Sequence, residues 1–203
     1  MFIPAHYKLE NQQEALDFMK KYSFATIVST PADGVPVASH IPLTISQRGE
    51  SIILNGHFAK ANNQLANIDG QKVLVIFNEP HAYISPSSYD KFESVPTWNY
   101  FAVHAYGVCQ LIHDESKAFE LLNEMILNYE PAYKTQWDAI NTDYKQKMIK
   151  GIVTFKIEVD DIQASKKLSQ NKTHEERARI IDKLSASGNG VENELAKYMQ
   201  QLQ

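Results

Sequence analysis

The sequence predicts an α+β protein, mainly β, built on a small closed antiparallel sheet with peripheral and C-terminal helices. Two observations carry this. Six or seven β-type segments follow one another at short spacing without a helix between each pair, which argues for an antiparallel barrel over a doubly wound parallel sheet. Helical periodicity, by contrast, is concentrated after residue 113.

The elements follow in order. Asn11-Gln12-Gln13-Glu14 is a capping-box pattern followed by Leu16, Phe18 and Met19, predicting a helix from about residue 12 to 22. Phe24 to Thr30 is β-rich, Pro31-Ala32-Asp33-Gly34 is a turn, and Val35 to Leu43 is the antiparallel return, so the three make a hairpin. Ser51 to Gly56 predicts a third strand, Ala61 to Ile68 a short helix, and Lys72 to Phe77 a fourth, nearly continuous apolar strand. Ala82 to Ser85, Thr97 to Ile112 and Gly151 to Val159 complete the strands, and the second is long enough to bend around a barrel. Ser116 to Asn128 repeats apolar residues at helical spacing, Thr173-His174-Glu175-Glu176 is a second capping box, and a final helix runs through Leu195, Tyr198, Met199 and Leu202.

Two hundred and three residues suffice for one well-buried domain. We divide them into a barrel domain over 1–170 and a helical extension over 171–203 that packs on the barrel or on a second subunit. The N-terminal residues lack a secretory pattern and no apolar run reaches eighteen, so a soluble cytoplasmic protein with no membrane partner is expected. Cys109 is the single cysteine, which excludes an intrachain disulfide and thiolate-rich metal sites; among strand residues it is expected to be a small buried hydrophobe. Residues 1–144 hold 9 Lys/Arg against 16 Asp/Glu, whereas residues 145–183 hold 10 against 6. Lys145, Lys147, Lys150, Arg177, Arg179 and Lys183 recur mostly at helical spacing, as on a solvated helix face. With a net charge of −4 and no basic recognition helix, the electrostatic footprint of direct DNA binding is missing.

Four polar clusters fall at strand ends or in turns: Ala38-Ser39-His40-Ile41-Pro42, Gly56-His57-Phe58-Ala59-Lys60-Ala61-Asn62, Tyr83-Ile84-Ser85-Pro86 joined to Pro96-Thr97-Trp98-Asn99-Tyr100, and Lys167-Leu168-Ser169-Gln170-Asn171. None contains a catalytic triad, metal-ligand spacing or glycine-rich phosphate loop. If Lys60 and Asn62 open a helix, amides, dipole and ammonium converge as a phosphate requires; an exposed lysine and a capping asparagine fit the spacing equally well. On an extended strand Trp98 and Tyr100 share one face, with Asn99 and Phe101 on the other, so Trp98 is either a stacking surface or a core residue. His40, His57 and His104 lack carboxylate partners at a recognisable offset, and metal binding is not expected. Glu130 and Asp138 flank Pro131 and Trp137, but nothing pairs them as acid and base, and a solvated helix connection is expected.

These clusters, with Phe2-Ile3-Pro4-Ala5-His6-Tyr7 and Val95 ahead of Pro96, resemble the PaiB family of FMN-binding-type negative transcriptional regulators, in register and order over about residues 1 to 184. The resemblance implies a split β-barrel related to pyridoxamine-phosphate oxidases and flavin reductases, forming a homodimer with flavin pockets at the subunit interface. It implies FMN as cofactor, and a link to repression of sporulation and degradative-enzyme genes in bacilli. By the same resemblance the cofactor-binding residues are Ser39, His40, Ile41, Lys60, Asn62, Trp98, Asn99 and Lys167, with no catalytic base named and no metal. Asn63 stands where the family usually has Pro, and Ser165-Lys166 replaces its usual Lys-Phe. The other readings are a flavin reductase or oxidase, and a haem-binding member of the same barrel group with His57 or His174 as axial ligand. A DNA or regulatory partner is implied by the family but is unsupported by the charge.

Overall fold

Strand alternation is the dominant feature of the computed structural model, which describes residues 1–202. In β1 (Phe24–Ser29) and β4 (Ser51–Ala59) every second side chain is buried, because successive residues of a pleated strand face opposite sides. The remaining strands are β2 (Val37–Pro42), β3 (Thr44–Arg48), β5 (Lys72–Ile84), β6 (Thr97–Ile112) and β7 (Ile152–Lys167). They form one seven-stranded sheet in the order β2-β1-β5-β6-β7-β4-β3. The expected hairpin is present, with Phe24 opposite Pro42 and Ser29 opposite Val37. Gly34 in its turn has φ +78, which glycine adopts without the Cβ clash of other residues.

The helices are α1 (Gln12–Lys21), α2 (Leu65–Ile68), α3 (Glu115–Tyr129), α4 (Lys134–Ala139), α5 (Thr142–Ile149), α6 (His174–Ser185) and α7 (Gly190–Gln200). The capping signals are real: Asn11 Oδ1 accepts from the Glu14 amide at 3.1 Å, and Thr173 and Glu176 form a reciprocal capping box. Other expectations need correction. The helix expected over Ala61 to Ile68 is a four-residue turn beginning only at Leu65, with Asn62 and Asn63 in the preceding turns, where Asn side chains compete for backbone donors. Ala82 to Ser85 is not a separate strand, because β5 continues through the cis Glu79–Pro80 bond to Ile84. β7 continues eight residues past Val159, and β3, α4 and α5 were not anticipated.

The chain divides into two compact units. The larger comprises Leu16–Phe77 and His104–Ile162. Its core holds Phe58 and Phe155 with ring centroids 4.8 Å apart, and Gly56 sits so close to Phe155 and Leu43 that a Cβ there would lie 2.8 and 2.9 Å from them. Each such phenyl ring contributes roughly 1.5–3 kcal/mol by leaving water. Cys109 is fully buried, and burial together with Asp69 pushes its thiol up to about 12.

The second unit comprises Met1–Ala15, Asn78–Val103 and the segment from Gln163 onward. Ala82 and Ile84 of β5 form one apolar cluster with Leu168 just after β7, Ile180 and Leu184 of α6, and Leu195, Ala196 and Met199 of α7. Polar contacts fasten α6 to the segment after β5. Arg179 donates to the Ser88 carbonyl at 3.0 Å and pairs with Asp90 at 2.5 Å, Glu176 accepts from the Asp90 amide at 3.0 Å, and Lys183 reaches Ser87 and Ser88, both at 3.0 Å. Arg179 and Lys183 are therefore engaged with this loop, correcting the expectation of a merely solvated basic face. In the larger unit, Asp138 pairs with Lys134 one turn earlier on α4 at 2.5 Å.

Candidate functional site

In the larger unit, the turn after β4 is tied to the β1–β2 hairpin. Asn62 donates from Nδ2 to Ser39 Oγ at 2.9 Å, and its Oδ1 accepts from the Gln64 amide at 2.9 Å. Gln64, buried at 3 % exposure, donates to Ser29 Oγ at 2.9 Å and to the Val37 carbonyl at 3.2 Å. Its Oε1 is buried with no hydrogen-bond partner among the described residues. Ser39 and Asn62, far apart in sequence, are thus brought together, while no periodicity or motif in the sequence marks Gln64.

His40 is exposed on β2. Its Nδ1 bonds Thr26 Oγ1 at 2.9 Å and its ring stacks on Phe24 at 6.3 Å. Ile41 is buried at 6 % and contributes its side chain to the core. Lys60 is exposed, its amide bonded to the Gly151 carbonyl at 2.8 Å, and it borders a small cavity with His113 and Lys150. Because α2 starts at Leu65 and is only four residues long, the convergence of helix amides and ammonium expected at Lys60 and Asn62 does not occur. His57 is partly buried with Nδ1 unpartnered, and burial holds its pKa below the ordinary value.

In the second unit, β6 places Trp98 and Asn99 on opposite faces, as alternation predicts. Trp98 is 54 % exposed, and on neighbouring β5 the ring of Tyr83 meets it edge-on at 5.9 Å and that of His81 at 6.0 Å. A core role for Trp98 is thereby excluded. His81 was missed by the sequence reading, although its alternation with buried Ala82 carries the signal. Asn99 is fully buried, and its amide is spent on Ser169 Oγ at 2.9 Å and Met199 Sδ at 3.6 Å.

Lys167 donates to Thr97 Oγ1 at 2.5 Å and lies 5.6 Å from the centre of the Tyr7 ring. Burial lowers its pKa, and no carboxylate among the described residues pairs with it. Its neighbour Lys166 differs in being neutralised by Glu14 at 2.5 Å. A half-buried ammonium without a counterion is a ready receptor for an anion.

A family model described as "Putative FMN-binding domain" matches residues 1–161. The chain belongs to this FMN-binding-domain family. Over 98 % of its length it is also 38 % identical to the protease synthase and sporulation protein PAI 2 of Bacillus subtilis, covering 97 % of that protein, which makes it a PaiB homologue. Among solved structures, the FAD and heme binding protein of Mycobacterium smegmatis superposes with a TM-score of 0.62 at 13 % identity, covering 85 % of this chain and 78 % of that one. The flavocytochrome Anf3 of Azotobacter vinelandii superposes at 0.60 and 16 %, covering 87 % and 78 %. At such identities the likeness shows the fold alone, the split β-barrel of this family. No helix among the described residues is long and apolar enough to cross a membrane.

Proposed function

We propose that this PaiB homologue binds FMN and that the flavin's presence or redox state governs a regulatory role of the kind named for its Bacillus relative. The observation that carries the reading is Trp98: an indole held in the open beside Tyr83 and His81, on a strand whose alternate residues Asn99 and Phe101 are entirely buried. A flat aromatic surface of this kind suits an isoalloxazine ring, since offset and edge-on ring contacts are favourable beyond their buried area.

The remaining groups fit the cofactor's chemistry. Within the larger unit, Ser39 and Asn62 offer a hydroxyl and an amide held in fixed geometry and Gln64 Oε1 is an orphaned acceptor; within the second unit, Lys167 beside Thr97 is an ammonium lacking a counterion among the described residues. We assign phosphate recognition to Lys167 ahead of Lys60, which lacks the helix N-terminus that favoured it. Ile41 and Asn99 act by shaping strands β2 and β6 from the buried side. When bound, FMN supplies electron-transfer chemistry; the residues of the chain bind and orient it.

Homodimerisation is part of the proposal. In the larger unit Phe24 is 69 % exposed, and the outward-facing Val28, Leu74 and Ile76 are cross-strand or diagonal neighbours on β1 and β5. Such an apolar sheet face is suited to a second copy. The cytoplasm is the proposed location. Direct operator binding is disfavoured by the net charge of −4.

The test is an absorbance and fluorescence titration of the purified full chain with FMN. Saturable, stoichiometric binding that weakens in Trp98→Ala is expected. No binding, or a Soret band with added haem and no flavin bands, overturns the reading.

A further inference from the structure

Beside α3 in the larger unit lies a groove of about 710 Å³, within the range of small-molecule sites. None of the residues assigned to the flavin lines it. One wall is sheet, with Arg48 of β3, Asn55 of β4 and Lys156 of β7; the other is the α3 face carrying Lys117, Glu120 and Glu124. Asn55 and Lys156 are direct cross-strand partners, so an amide stands beside the ammonium on one sheet face.

The charged side chains that line this groove form no ion pairs with one another among the described residues. Elsewhere in the unit Lys72 pairs with Asp160 at 3.0 Å and Lys134 with Asp138. Here, among the described residues, Arg48, Lys117 and Lys156 have no carboxylate within ion-pair distance although Glu120 and Glu124 line the same hollow. Asp114, also on the rim, is already committed as the cap of α3, accepting from the amides of Ser116 at 2.8 Å and Lys117 at 3.3 Å. The walls therefore present a cationic sheet side with Arg48 and Lys156, and a helix side on which Glu120 and Glu124 follow Lys117 along α3.

We propose that this groove is a second ligand site, for an amino-acid-like zwitterion whose carboxylate meets Arg48 and Lys156 and whose ammonium meets Glu120 and Glu124. An anion alone leaves two carboxylates facing it, and a cation alone faces three positive side chains; a molecule carrying both charges satisfies both walls. Arginine's planar fork matches a carboxylate in two parallel bonds, which gives Arg48 the larger share of orientation.

The experiment is equilibrium dialysis of the full-length chain with the dipeptide glycyl-glutamate as probe, repeated with FMN present. Saturable one-to-one binding is expected, weakened about tenfold or more in Arg48→Met and in Glu120→Gln, with flavin titration unchanged in both variants. Lys156→Gln serves as a further variant should either of those lose its folded circular dichroism spectrum. Absence of saturable binding up to about 10 mM, a regime weaker than specific recognition, overturns the proposal. So does retention of full affinity in the folded variants, or displacement of the dipeptide by equimolar inorganic phosphate, which marks a simple anion site.

Discussion

Asn99 and Ser169 close a buried two-way contact: the asparagine amide donates to the serine hydroxyl at 2.9 Å, and that hydroxyl donates back to Asn99 Oδ1 at 3.2 Å. Ser169 is also the one non-glycine residue with positive φ, at 61, among the described residues. Asn99→Leu leaves that hydroxyl buried and unpaired, and removes the contact that holds a strained backbone in place. We expect a loss of about 2–3 kcal/mol in a urea unfolding experiment. A change below about 0.5 kcal/mol would place the pair among incidental contacts.

Lys167 and Lys60 separate two accounts of anion recognition. Lys167→Met is expected to weaken FMN binding by about 1.5–3 kcal/mol, the range of a charge-assisted hydrogen bond, whereas exposed Lys60→Ala should change it by about 0.5 kcal/mol or less. The reverse ranking in a fluorescence titration would return the phosphate to Lys60.

Gly107 tests how tightly β6 and β7 approach. A Cβ at that position lies 2.2 Å from the Glu158 carbonyl oxygen and 2.8 Å from Ile157 Cγ2, and backbone cannot step aside as a side-chain end can. Gly107→Ala should therefore destabilise by at least about 2–3 kcal/mol, read as a lowered melting temperature. A wild-type melting curve would show that the strands can part at no cost.

His57 predicts a pH dependence whose sign is fixed by burial. Its folded pKa lies below the ordinary 6.5, so between those values the unfolded chain holds more protons and stability rises with pH. The contribution is complete above about pH 6.5 and is lost as the pH falls through the depressed folded value. His57→Gln should flatten that part of the stability–pH curve, and an unchanged slope would assign it to other groups.

Cys109 should be chemically silent in the native chain. With its thiol fully buried and pushed up to about 12, a disulfide-exchange reagent at pH 8 finds almost no thiolate. One thiol per chain is expected to react after denaturation and none before; rapid native labelling would contradict the burial.

A β-rich run, a glycine-containing turn and its return made the β1–β2 hairpin legible in the sequence, a long β-type segment gave β6, and side-chain caps located α1 and α6. β3 was missed because Thr44–Arg48 ends in Gln and Arg on an exposed edge, where little apolar pattern survives. α4 and α5 are six and eight residues long, too short for periodicity to stand out. The site was read unevenly for a related reason. Trp98 and Lys167 belong to quotable motifs, but Gln64 is defined only by the long-range bonds it makes to β1 and β2, which no local pattern records. The helix expected at Lys60 failed because Asn62 turns its side chain back on the Gln64 amide.

The docking of α6 and α7 onto Ala82 and Ile84 bears on how the protein can be handled and how it is cleared in a cell. Removing the tail from Thr173 onward uncovers an oily stripe on β5 and frees the loop around Asp90 at the same stroke. Shortened versions should be sticky and easily degraded, and reporter fusions are better designed with the C-terminal helices intact.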